Sequence, residues 1–145
     1  MQDLPHHYKV EASAELEGDG AISSDRLESI PFASPAEFGG PGNRWSPETL
    51  LLAAVASCFI LSFRAIARAS KLSWLSLKCE VEGTLDRVEG KTKFTRFVVH
   101  ATLAVPQDAN ETLAHRLLEK AEKICLVTNS LSGETRLDAE VRKSS

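Results

Sequence analysis

The sequence has no Cys-x-x-Cys and no His-x-x-x-His spacing, so it offers no ready set of metal ligands. His6 and His7 form an N-terminal pair, and His100 and His115 stand alone. No Gly-x-Ser-x-Gly element presents a serine nucleophile. The Gly39-Gly40-Pro41-Gly42 stretch lacks the lysine pattern of a phosphate-binding loop. Positive charge is not in excess: Lys and Arg total 17 against 20 Asp and Glu, for a net charge of −3. This excludes the basic footprint that nucleic acid or an anionic membrane surface requires. The segment Met1–His7 lacks the apolar core of a signal peptide. The longest apolar run, Leu50 to Leu61, is interrupted by Ser57 and followed by Arg64 and Arg68, and reads as too short to span a bilayer. Three cysteines, an odd number without a signal sequence, argue against a secreted disulfide scaffold and for reduced thiols in the cytoplasm. The sequence therefore predicts no metal, no cofactor, no nucleic acid and no membrane partner.

What remains is an ordinary globular composition, 43% apolar and 26% charged over 145 residues. That length predicts a single domain, 1–145, with room for a real core. Tyr8, Val10, Ala12, Ala14 and Leu16 alternate with polar residues, the pattern of a half-buried strand. Gly18-Asp19-Gly20 turns the chain, and Ala21 to Ile30 reads as a weaker returning strand. Pro31 to Arg44 reads as loop. Ser46 offers an N-cap, Pro47 suits the first helical position, and Glu48 favours the positive helix end. The helix should run to about Ala69. Leu75 to Leu85 and Phe97 to Val105 alternate on either side of Glu89-Gly90-Lys91 and predict a long antiparallel hairpin. Asp108 and Glu111 resemble a capping box for a second helix, whose stripe of Leu113, Leu117, Ala121, Ile124 and Cys125 ends near Val127. Leu137, Ala139 and Val141 form a last strand. The order is ββαββαβ, an α+β domain.

The first helix is apolar on most of its circumference up to Arg64, which predicts a central, buried helix. One five-stranded sheet and one other helix do not easily cover it. A second subunit is the natural cover, and an intertwined homodimer is expected; sheet curvature alone is the plainer alternative.

Two cysteines stand on these helices, Cys58 midway along the first and Cys125 near the end of the second. Two thiols on facing helices can cycle between dithiol and disulfide. A small core hydrophobe explains each of them singly just as well. Cys79, between Leu77 and Val81 on a strand, reads as structural. A reactive thiol needs a cation or a helix N-terminus close by. Cys58 is too deep in its own helix for that, which leaves Arg26, Arg44, Arg64 and Arg68 as candidate cations. Glu48 precedes Cys58 by ten residues, about 15 Å of helix rise. It either supports its own helix end or acts on Cys58 of a second subunit, across an axis where the two helices run antiparallel.

Phe38-Gly39-Gly40-Pro41-Gly42, the segment Ser46 to Phe59 with its Pro-Glu and Ser-Cys, and Ala121 to Leu131 together resemble the OsmC/Ohr family. This family comprises the osmotically inducible protein C and organic hydroperoxide resistance proteins. The resemblance covers nearly the whole chain and implies antiparallel sheets packed around central helices in an interlocked dimer. It also implies thiol-based reduction of peroxides. By position it makes Cys58 the peroxide-attacking thiol, Cys125 the resolving thiol and Glu48 the carboxylate of the site. Organic hydroperoxide resistance proteins carry an arginine in the glycine turn after the first strand, and Leu16-Glu17-Gly18-Asp19-Gly20 has none. Arg26 is the nearest substitute in sequence, and the chain resembles the broader OsmC-like branch more than organic hydroperoxide resistance proteins proper. The resulting expectation is a peroxidase restored by a dithiol reductant, with Leu51, Val55 and Phe59 lining an apolar pocket for an alkyl hydroperoxide. The rival is a non-catalytic dimer that binds a hydrophobic or thiol-bearing small molecule.

Overall fold

The computed structural model describes residues 1–144 and forms two compact units, Met1–Leu50 and Leu51–Ser145. The first unit is built on a three-stranded antiparallel sheet. Its strands β1 (Glu11–Ser13), β2 (Gly20–Ser23) and β3 (Ile30–Phe32) pair in that order. The strand expected from Tyr8 to Leu16 shrinks to three residues, with Tyr8 88% and Leu16 98% exposed. The alternation is there, but a lone three-stranded sheet has no second layer to bury it. The strand expected from Ala21 to Ile30 is two strands. Arg26, at φ 65°, sits between them in a turn closed by the Leu27 N–H donating to the Ser24 carbonyl at 3.1 Å. Pro31 belongs to β3 rather than to a loop, and β3 is an edge strand, where a missing N–H is tolerated.

A short 3-10 turn, Ala36–Phe38, ends at Gly39 with φ 86°. Gly40 packs directly on the Ser34 carbonyl, and a side chain there would collide with it. The Ala33 N–H donates to the Trp45 carbonyl at 3.0 Å, and Trp45 bridges to Phe32. This fixes the entry to helix α1 (Pro47–Ala69). The cap is reciprocal: the Thr49 N–H donates to Ser46 Oγ at 3.2 Å, and the Ser46 N–H donates to Thr49 Oγ1 at 2.9 Å. Thr49 thus does what Glu or Gln does in the usual capping box.

In the second unit, α1 buries only the stripe Val55, Phe59, Phe63 and Ala67, at four-residue spacing. It is therefore not buried on most sides within one chain. With 23 residues it is also long and apolar enough to cross a membrane by length and composition, so the shortness of the Leu50–Leu61 run decides nothing. Strands β4 (Ser76–Val88) and β5 (Lys91–Val105) form the expected hairpin. Glu89 and Gly90, both at positive φ, make the two-residue turn that suits the strand twist. Val99, Ala101, Leu103 and Val105 line one face of β5 and pack with the α1 stripe.

The second helix is α2 (Glu111–Ile124), and its cap is Asn110 rather than Asp108: the Asn110 side chain accepts from the Leu113 N–H at 3.0 Å. Ala114, Leu117, Leu118 and Ala121 close the core. The helix does not reach Val127. It stops before Cys125, and a separate turn, α3 (Leu126–Asn129), follows. Strand β6 (Glu134–Lys143) then pairs with β5 in parallel, in the order β4-β5-β6. The expectation of antiparallel sheets thus fails at this one pair, because a helical crossover returns the chain in the direction of β5. The mixed α+β class holds.

Candidate functional site

Cys58 is half-buried on α1, next to the core residue Phe59 and so at the edge of the buried stripe. What meets it is the break between α2 and α3. Cys125, 1% exposed, has extended backbone there (φ −60°, ψ 109°), ending one helix and capping the next. Three hydrogen bonds hold the break. The Thr128 hydroxyl donates to the Cys125 carbonyl at 3.1 Å, and the Asn129 N–H donates to the same carbonyl at 3.0 Å. The Asn129 side-chain amide donates to the Lys123 carbonyl at 3.2 Å. Carbonyls that α2 would leave open are thereby paired, while the first N–H groups of α3 remain free to donate outward.

Those N–H groups point at a sulfur. Burial pushes the Cys58 thiol up, but four hydrogen bonds outweigh it and leave the thiol below its ordinary value. Their donors are the Val127 N–H, the Cys125 thiol, the Ser62 hydroxyl and the Leu126 N–H. Cys125 moves the opposite way. Its burial raises it, bonds from the Thr128 backbone and side chain oppose that, and the Cys58 thiolate it donates to raises it further. The pair is polarised: the Cys58 thiol is shifted down and the Cys125 thiol up. The sequence called for a cation beside Cys58, and the second unit instead supplies backbone dipoles and hydroxyl and thiol donors.

Beside Cys58 lies an open, mainly apolar cleft of about 440 Å³. Ala54, Ser57, Leu61, Ser62, Leu126 and Val127 line it with Cys58. Val55 and Phe59, the expected pocket residues, do not: both belong to the buried core, turned away by their positions on the helix. Leu51 is partly buried and is not part of this wall either. The helical spacing could have given Ala54, Leu61 and Ser62, which lie three or four residues from Cys58 on its own face. Nothing in the sequence marks the backbone of Leu126 and Val127. Cys79, on β4 opposite Ala101, is pushed up to about 11 by burial and, once Cys125 ionises, by its charge, which makes it a poor nucleophile.

Glu48 lies in the first turn of α1, where its Oε1 is buried without a hydrogen-bond partner. Arg26 stands at the end of β2 away from Asp19. Arg44 forms an ion pair with Asp19, 2.7 Å from Nε to Oδ2. Arg64 and Arg68 are exposed. Among the described residues, no group of three or more His, Cys, Asp or Glu side chains is placed to hold a metal ion.

The sequence profile of the OsmC-like protein family matches residues 40–140. The chain is 29% identical over 140 residues to the uncharacterized protein YmaD of Bacillus subtilis, covering 93% of each chain. It is 30% identical over 131 residues to the organic hydroperoxide resistance protein of Xanthomonas axonopodis pv. citri, covering 87% of this chain and 88% of that one. Its fold superposes on an OsmC-like protein of unknown function from Vibrio cholerae with a TM-score of 0.86. That match has 18% identity and covers 93% of this chain and 99% of the other. The profile spans most of the chain and includes both cysteines of the polarised pair, and on that ground the protein belongs to the OsmC/Ohr family.

Proposed function

We propose that this protein is a thiol-dependent peroxidase that reduces organic hydroperoxides in oxidative-stress defence. The polarised Cys58–Cys125 pair carries the reading, because a peroxidase of this kind needs one thiolate and one protonated thiol within reach of each other. The Cys58 thiolate attacks the outer peroxide oxygen. The O–O bond breaks, the alcohol leaves with a proton from the site, and Cys58 becomes a sulfenic acid. The Cys125 thiol then attacks that sulfur, water leaves, and a disulfide forms. A dithiol donor reduces the disulfide by two exchange steps and restores both thiols. The apolar cleft suits the alkyl part of an organic hydroperoxide better than hydrogen peroxide.

A homodimer belongs to this reading. Tyr8, Val10 and Leu16 are exposed along one alternating face, and Leu61 and Leu126 are exposed at the cleft. Only 22% of the most apolar window of α1 is buried. A second copy that covers these surfaces would close the cleft and exclude water from the thiols. Glu48 would then act on Cys58 of that second copy. In this reading the 145 residues work as one domain, in a reducing cytoplasm.

Peroxide consumption with a dithiol donor tests the chemistry. In Cys58→Ser it falls to background. In Cys125→Ser the first oxidation persists, and excess peroxide drives Cys58 to the sulfinic acid, seen by mass as two added oxygens. Full turnover in Cys58→Ser removes the mechanism, whereas no turnover in the wild type, with ligand retained in the cleft, leaves the binding-protein alternative.

A further inference from the structure

Two serines stand in the wall of the cleft beside Cys58, and the fold uses their hydroxyls differently. Ser57 spends its hydrogen on its own helix: Oγ donates to the Ala53 carbonyl at 2.8 Å, the back-bond open to any serine inside a helix. Ser62 makes no such bond to the Cys58 carbonyl among the described residues, and its hydroxyl donates to the Cys58 sulfur. The geometry of α1 explains the aim. Ser62 follows Cys58 by four residues, so the two share one face of the helix. Side chains on a helix lean toward its N-terminus, which tips the Ser62 hydroxyl back over the turn that carries the sulfur. Ala54, Leu61, Leu126 and Val127 add only apolar side chains to the wall. Among the side chains that line the cleft, Ser62 therefore carries the one O–H group not tied to a backbone carbonyl.

The peroxide chemistry has a use for such a group. When the Cys58 thiolate attacks the outer oxygen, sulfur gives up an electron pair and the O–O bond takes it. Negative charge leaves the sulfur and gathers on the inner oxygen, which departs as an alkoxide. That oxygen lies one atom beyond the oxygen under attack, within reach of a donor that already touches the sulfur. The Leu126 and Val127 N–H groups are fixed in the backbone of α3 and stay with the sulfur. A serine hydroxyl turns about a single bond and can follow the charge.

We infer that Ser62 is a catalytic residue: its hydroxyl turns from the Cys58 sulfur to the departing oxygen and gives that oxygen its proton. The assignment rests on the peroxidase reading above and names the group that completes its first step. Water in the open cleft returns a proton to Ser62 and leaves as hydroxide. Thiolate, hydroperoxide and water thus become sulfenic acid, alcohol and hydroxide. An interaction made only as charge reaches the departing oxygen lowers the barrier without tightening the binding of substrate.

The test compares two oxidants that share an alkyl chain and differ in leaving group. Octyl hydroperoxide expels an alkoxide, a strong base that needs the proton. Peroxyoctanoic acid expels a carboxylate, a weak base that does not. Oxidation of Cys58 by each is timed over a single turnover at neutral pH, on the full chain, by quenching with an alkylating reagent and reading the Cys58 peptide by mass. The ratio of the two rates on one protein cancels any change in the thiolate fraction of Cys58 or in the amount of folded protein.

The ratio of hydroperoxide rate to peroxyacid rate should fall on the order of 10²-fold in Ser62→Ala, the lower end for losing one oxyanion donor. An unchanged ratio overturns the assignment, even where both rates fall, and leaves Ser62 a donor to the sulfur alone. Ser57→Ala should keep the wild-type ratio. A fall there as large as in Ser62→Ala overturns the assignment as well, because a reshaped cleft then explains both. Failure of the peroxidase reading itself looks different: Cys58 of the wild type reacts with octyl hydroperoxide no faster than a simple alkyl thiol in solution, and the assignment to Ser62 falls with it.

Discussion

The two units of this chain contain the same kind of strand pattern and bury it to very different extents. In the second unit, Phe97, Val99, Ala101, Leu103 and Val105 alternate along β5, and every one is buried. In the first, Tyr8, Val10, Ala12, Ala14 and Leu16 alternate as cleanly, and β1 is exposed throughout. The difference lies in what stands opposite. β5 faces the α1 stripe and α2, whereas the strip from Tyr8 to Leu16 has no apolar layer of its own. An apolar alternation therefore marks a face that must be covered, without showing that the same chain covers it.

Removing an apolar side chain from each region should have very unequal effects. Phe63 is fully buried and meets Trp74 edge-on at 5.5 Å between ring centroids. Phe63→Ala should cost about 3–5 kcal/mol of unfolding free energy by urea denaturation, through lost burial and a residual cavity. Leu16→Ala should cost a single chain almost nothing. In the proposed dimer, Leu16→Glu should instead weaken association, seen by sedimentation velocity as a shift from dimer toward monomer. If Leu16→Glu leaves the oligomeric state unchanged, the exposed strip is not the face a second copy covers.

A smaller effect separates the thiols. Cys79 is raised in the folded state to about 11, against about 8.5 for an unperturbed thiol. Below pH 8.5 both states keep the proton and the contribution of Cys79 to stability is complete. Between 8.5 and 11 the unfolded chain gives up its proton first, so stability falls as pH rises. Wild type should lose stability relative to Cys79→Ala over that window, and parallel curves for the two proteins would show that the thiol is not held protonated by the fold.

Local chemistry was legible where it is self-contained. Ser46 followed by Pro47 announces the start of α1, and Glu89-Gly90 between two alternating runs announces the β4–β5 hairpin. The site was legible as residue types and not as geometry. Cys58 and Cys125 stand out in the sequence, yet the extended conformation of Cys125 depends on Asn129 reaching back to Lys123 and on Thr128 bonding the Cys125 carbonyl. Those contacts end α2 early and turn the N–H groups of Leu126 and Val127 toward Cys58. Backbone donors leave no mark in residue identity. Residue identity alone therefore points to arginines as activators of Cys58, and the α3 N–H groups are visible only in the structure. Val55 and Phe59 were misplaced for a related reason. On a helix apolar nearly all round, the hydrophobic pattern does not say which side faces the core.

Backbone, hydroxyl and thiol donors hold the Cys58 thiol below its ordinary value, while burial and the neighbouring Cys58 hold Cys125 above its own. The rate of Cys58 alkylation against pH, followed peptide by peptide by mass spectrometry, tests it directly. The account predicts a Cys58 midpoint below the free-thiol value of about 8.5, with Cys125 titrating above it. A Cys58 midpoint at or above that value, or a Cys125 midpoint below that of Cys58, would contradict it.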